Sequence, residues 1–272
     1  MHDSKQRSVE SETEMARSNP VLSKTFPEQT GFGTLPPAYG TLERLSIDDV
    51  VVHTAGLLAL LVAVAAVSWI TVPISTGLGF VIPAVLLAVG IVIYSGIKRR
   101  VSPAMAIGYA VVEGFVVGVI SHVYNDFTGV KGTVNPANSG IVLQAVVATI
   151  AVFFGMLALY QTGVIRATPK FRKVVMTATL GIFLTYMASI VMNLFGAHMP
   201  LLNSSSSLGI LVSAAIVVIA ALNFILDFDQ IERAVAAGAP REYAWAASLG
   251  LLVTLVWLYL EMLRLLSKLQ SR

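Results

Sequence analysis

The chain has 272 residues, of which 56% are hydrophobic and 12% charged, with a formal net charge of +3. A soluble globular domain carries about a quarter charged residues, so a soluble catalytic domain is excluded. The absence of cysteine excludes disulfides, thiolate metal sites and cysteine nucleophiles. The basic excess suits loops that face anionic lipid rather than nucleic acid.

Residues 1–49 are rich in Ser, Glu, Pro and Gly and lack a sustained apolar period, which predicts a disordered tail. No apolar h-region of a secretory signal is present in the first 40 residues, so the first hydrophobic helix is expected to direct insertion. Ser46 is placed to cap that helix, with Asp48 and Asp49 in its first turn. Residues 50–272 read as a seven-helix transmembrane domain. The predicted spans are 51–72, 77–96, 103–124, 139–160, 174–196, 208–232 and 243–266. Each is long enough to cross about 30 Å of hydrocarbon. Pro83 lies inside the second span and is expected to bend it. Gly114 and Gly118 form a small-xxx-small pair in the third, a pattern that lets helices approach closely.

Loop charges set the expected orientation. Lys98, Arg99 and Arg100 follow the second span; Arg166, Lys170, Arg172 and Lys173 follow the fourth; Arg233 and Arg241 lie near the turn between the sixth and seventh. The alternate loops hold only Lys131. The positive-inside rule therefore places the N-terminus in the cytoplasm. Seven spans then put the C-terminus outside, against the signs of Lys268 and Arg272.

Acids inside a spanning segment are costly, and each is a functional candidate. Four stand out: Glu113, Asp227, Asp229 and Glu261. Glu113 reads either as a carboxyl that glues helices together or as a proton or cation site. Asn223, Asp227 and Gln230 follow i, i+4, i+7 spacing and are expected to form one polar stripe facing an interior cavity. Asp229 points away from Asp227 and has Arg233 at i+4, so Asp227 is read as functional and Asp229 as structural. On the seventh span, Thr254 and Glu261 share a face, with Arg264 three residues beyond Glu261. Chain reversal near 238–241 puts Asp227 and Thr254 at similar depth, with Glu261 about 10 Å further along.

Enzymatic signatures are missing. There is no HExxH, Ser121 and His122 diverge as neighbours on a helix, and no mid-membrane lysine offers a Schiff base. His53 and His198 read as interfacial. Asn203-Ser204-Ser205 fits a glycosylation sequon in an outside loop. No enzyme activity, resident cofactor or nucleic-acid partner is expected, and the sequence names no metal site.

Three motifs together resemble the Bax inhibitor family, including its bacterial YccA-like branch. They are Gly108-Tyr109-Ala110 followed by Glu113-Gly114, the run Leu226-Asp227-Phe228-Asp229-Gln230-Ile231, and the ending Leu263-Arg264-Leu265-Leu266. The resemblance covers about residues 50–270. It implies seven helices with the last one central, a pH-sensitive Ca²⁺ leak, regulation of membrane proteases or stress responses, and residence in a bacterial plasma membrane. It also implies a switch in which aspartates on the sixth and seventh helices share a proton. The first maps onto Asp227; the second maps onto Thr254, which bonds a carboxyl without sharing its charge. Arg264 matches a family arginine that latches the last helix. Ala88 stands where some relatives carry its acid, leaving Glu113 and Glu261 as candidate partners. The expected reading is a cation leak channel, with a non-transporting regulator and a proton-coupled transporter as alternatives.

Overall fold

The computed structural model describes residues 43–98, 101–127, 140–196 and 206–271. Residues 1–42, Arg99, Arg100, Lys131, His198 and the Asn203 sequon lie outside them. Seven helices are present among the described residues: α1 (Ile47–Thr71), α2 (Ile74–Lys98), α3 (Pro103–Phe127), α4 (Ile141–Gln161), α5 (Pro169–Leu194), α6 (Ser207–Ala236) and α7 (Tyr243–Gln270). All seven are long and apolar enough to cross a membrane. Mean hydropathy of their best windows runs from 1.8 to 2.6.

The predicted spans recur with extended ends. α5 begins at Pro169 rather than 174, because Lys170, Arg172 and Lys173 form its first turns and not a loop. Pro169 sits at the first helical position, where the missing N–H is harmless, and the Thr168 hydroxyl accepts from Phe171 N at 3.2 Å. α2 continues as one helix through Pro83. At α1, Ser46 and Asp49 form a reciprocal capping box. Residues 43–49, assigned to the tail from sequence, therefore belong to the helical unit that spans Glu43–Arg272.

That unit is closed at one end by the turn between α6 and α7. Gly238, at φ 66°, ends α6 in a Schellman arrangement: Gly238 N donates to Val235 O and Ala239 N to Ala234 O. The turn then pairs with the strand-like segment before α1. Leu45 N donates to Ala239 O at 2.8 Å and Arg241 N to Glu43 O at 2.9 Å. The Arg241 side chain binds Glu43 and Asp49. Those two carboxylates, Glu43 foremost, hold its guanidinium above its ordinary pKa.

α7 is the central helix. It packs against α1, α3, α4 and α6, and Leu252, Leu258 and Leu263 along it are fully buried. α1 and α3 run parallel and meet through the predicted glycines. A Cβ on Gly114 would lie 2.7 Å from Leu61 O, and one on Gly118 would lie 2.4 Å from Ala65 O. The approach also lets Ser68 Oγ donate to Phe115 O at 3.1 Å.

A glycine with open space around it supplies a control for this packing. Gly118→Leu is expected to destabilise the protein by about 1–3 kcal/mol through overpacking. Gly56→Ala, where nothing lies within 4 Å of the added carbon, is expected to be neutral or stabilising by about 0.5–1 kcal/mol. Thermal unfolding of both variants in detergent checks the pair.

Candidate functional site

Asp227 lies nine residues before the end of α6, about 14 Å inside the bundle at 1.5 Å per residue. Thr254 lies at matching depth on α7, and its hydroxyl donates to Asp227 Oδ2 at 2.7 Å. The same hydroxyl reaches back to Gly250 O at 3.3 Å. The expected pairing of the two positions is thus present. Asp227 is only partly buried because it borders a cavity of about 40 Å³ with Gln230, Ile231, Tyr243, Ala246, Ala247 and Gly250. Gln230 Nε2 donates to Tyr243 Oη at 2.8 Å at its edge. Polar walls and this volume suffice for a few waters.

The expected stripe divides. Asn223 does not join Asp227 and Gln230 at the cavity. It turns to α5, where its amide donates to Thr179 Oγ1 at 2.9 Å, and back to Ile219 O at 2.8 Å. A 3.6-residue helix rotates each step of the stripe slightly, and α6 lies between two neighbours that each offer partners. One edge of the stripe therefore meets α5 and the other α7.

Asp229 faces away from Asp227, as its spacing predicts. It binds Arg233 at 2.7 Å and, across the helix gap, Arg172 of α5 at 2.6 Å. Next to it, Tyr160 of α4 donates to Glu232.

The second acidic cluster forms toward the other end of α7. Glu261 is 2% exposed, and Arg264 Nη1 contacts both its oxygens at 3.0 Å. Tyr186 of α5 donates to Glu261 Oε1 at 2.6 Å and accepts from Arg264. The Arg264 guanidinium lies 4.8 Å from the Tyr186 ring centroid, and Tyr124 of α3 adds a hydrogen bond to it. Of the two candidate acids, Glu261 and not Glu113 pairs with Arg264 among the described residues. Glu113 is buried on α3, with Tyr109 one turn away, and has no hydrogen-bond partner among the described residues.

Three contacts escaped the sequence reading. Thr179 and Tyr186 stand seven and fourteen residues after Arg172, so the three make a seven-residue repeat on one face of α5. That spacing was the available signal. Lys268 is 6% exposed and donates to Gly209 O and Ser213 Oγ of α6 at 3.1 and 2.8 Å. It ties two helices together, so its charge is not a loop charge. Ser121 and Tyr259 share a buried hydroxyl contact at 2.7 Å between α3 and α7. His122 stacks on Trp69 and His53 packs edge-on against Trp245, so both rings serve packing.

Among the described residues, no group of three or more His, Asp or Glu side chains is placed to hold a metal ion. A larger cavity of about 430 Å³ between α1, α3, α4 and α7 has an almost wholly apolar lining, with Ser121, Thr149 and Tyr259 as its polar members. It offers a cation too few oxygen ligands.

Fold and site define a polytopic α-helical membrane protein with carboxylates held inside the bundle. The chain belongs to the Bax inhibitor family: the family model described as Bax inhibitor 1 like matches residues 3–271. The match reaches into the N-terminal segment, which the motif resemblance alone left out. No curated protein matches the chain in a sequence search.

Removing one partner of the Glu261–Arg264 pair leaves a buried charge uncompensated. Arg264→Gln is expected to cost about 3 kcal/mol, and the Glu261→Gln/Arg264→Gln double variant to recover part of that loss. Tyr186→Phe should cost less, about 1–2 kcal/mol. Unfolding midpoints of the four proteins, wild type included, check the order.

Proposed function

We propose that the protein is a cation leak pathway, with Ca²⁺ as the permeant ion and Asp227 as the carboxylate that meets it. The observation that carries this reading is a partly buried acid, without a cation partner among the described residues, at the base of a polar cavity near the α6–α7 turn. Hard cations prefer oxygen ligands; Asp227 and Thr254 supply them at one level, and Gln230 lies about one turn nearer the α6–α7 turn. In the arrangement described here the way is closed one turn further in, where Phe224 and Leu258 are fully buried. Conduction requires α6 and α7 to part at that layer. Glu261 lies beyond it on the same face of α7, already neutralised by Arg264.

Charge signs support a direction of assembly: the polar cavity opens at the end that carries Arg166, Arg172, Lys173, Arg233 and Arg241, which the positive-inside rule assigns to the cytoplasm of a bacterial plasma membrane. Protonation of Asp227 would remove the charge that the ion meets and so make flux sensitive to pH; the same chemistry read with H⁺ as the coupled ion gives a proton-coupled transporter. No step requires a resident cofactor or enzymatic chemistry.

A second reading, a non-transporting regulator of membrane proteases or stress responses, draws on a different observation. A cavity of about 740 Å³ at the same end is lined by the 163–168 loop together with Ile47, Tyr160, Asp229 and Glu232. Its mixed apolar and charged wall suits a partner segment.

Ca²⁺ flux into proteoliposomes separates the readings. Asp227→Asn is expected to slow flux by roughly tenfold, equivalent to 1.36 kcal/mol on the barrier. No flux above empty liposomes from folded wild-type protein would discard the channel and leave the regulator. A gain-of-function arm tests the missing second acid. Thr254→Asp puts two carboxyls within hydrogen-bond reach in low dielectric, where they share one proton. Its flux is expected to depend on pH more steeply than that of wild type.

A further inference from the structure

A separate groove at the α6–α7 turn end carries a chemistry unrelated to Asp227. Its volume is about 420 Å³, and it is lined by Ala167, Pro169, Arg172, Lys173, Met176, Thr177 and Arg233. Three cationic side chains from two helices converge there. Among the described residues the acid that pairs with the two arginines, Asp229, lines the neighbouring 740 Å³ cavity and not this groove. Counting Arg172, Lys173 and Arg233 against Asp229 leaves a net charge of +2 at the groove.

Asp229 also prepares the groove. It receives Nη2 of Arg172 and both Nε and Nη2 of Arg233, which pins the two guanidiniums side by side. Each guanidinium has five N–H donors, so each keeps donors unspent among the described residues. Lys173 has no ion pair among the described residues and is exposed. Planar forks held in place and a mobile ammonium beside them match the oxygens of a phosphate.

Depth identifies which phosphate. Arg172 and Lys173 lie in the first turns of α5 and Arg233 in the last turn of α6, so the cations sit where a spanning helix meets the headgroup layer. Further along the same face of α5 the surface becomes apolar: Met176 is 59% and Leu180 57% exposed. A ligand with an anionic head at the cations and a hydrocarbon chain along Met176 and Leu180 fits both parts. We infer that this groove is a binding site for the phosphate headgroup of an anionic phospholipid in the leaflet at the α6–α7 turn end. Basic pockets between spanning helices are suited to such headgroups.

Native mass spectrometry of the full-length protein in detergent tests the site, with phosphatidylglycerol and phosphatidylcholine of the same acyl chains as probes. Wild type is expected to retain phosphatidylglycerol in preference to phosphatidylcholine. Lys173→Gln removes one charge without touching the Asp229 ion pairs, and should weaken phosphatidylglycerol binding about fivefold at unchanged melting temperature. Arg172→Gln/Lys173→Gln should weaken it further. Equal retention of the two lipids by wild type, or undiminished binding by Lys173→Gln, would overturn the assignment. Displacement of the lipid by millimolar glycerol 3-phosphate would also overturn it, in favour of a free phosphate ligand.

Discussion

Hydrocarbon gives a helix no reason to leave it for a neighbour, because lipid tails are as apolar as leucine. Whatever holds this bundle together must therefore be close packing or polar contact. α5 shows the constraint most clearly. It packs chiefly against α6, and Val175 and Ser189 are its buried side chains among the described residues. Its attachments are polar and fall seven residues apart: Arg172 to Asp229, Thr179 to Asn223, and Tyr186 to Glu261 and Arg264. At the other side of the molecule the same problem is solved by removing side chains, at Gly114 and Gly118, so that α1 and α3 meet backbone to backbone.

The two acids along α7, Glu261 on the helix itself and Asp227 facing it from α6, differ in kind. Glu261 is neutralised by Arg264 and accepts from Tyr186, a group that joins α5 to α7. Such a residue is a fastening. Asp227 has only the Thr254 hydroxyl and a small polar cavity. A hydroxyl can satisfy one oxygen but leaves the charge where it is. The difference between the two thus follows from what stands opposite each acid, and not from the acid itself.

Much of this was legible in the sequence. Apolar run length located all seven helices, since the hydrocarbon thickness imposes the length. Helical spacing separated Asp227 from Asp229, paired Asp229 with Arg233, and placed Thr254 level with Asp227. Three things were not legible for a common reason. The latch partner of Arg264, the turning of Asn223 toward α5, and the burial of Lys268 against Gly209 and Ser213 each depend on which helices are neighbours. Spacing within one helix reports a face, but only packing says what the face meets. The late start predicted for α5 has another cause: charge was taken to mean loop, whereas a helix that runs past the hydrocarbon carries charge in its first turns.

Glu113 and Asp227 now share a property that neither has alone. Both lack a cation partner among the described residues, and both lie about 14–15 Å from the same end of the bundle, on α3 and α6. α7 packs against both of those helices. Every other intramembrane acid discussed above is neutralised: Asp229 by two arginines and Glu261 by one. The carboxyls without a cation partner are therefore gathered in one layer around the central helix, bounded on its inner side by Phe224 and Leu258. A structural role would be served as well by neutral side chains, at lower cost in a low dielectric. The leak pathway proposed above draws on this layer, where two carboxyls meet no cation of the protein's own among the described residues.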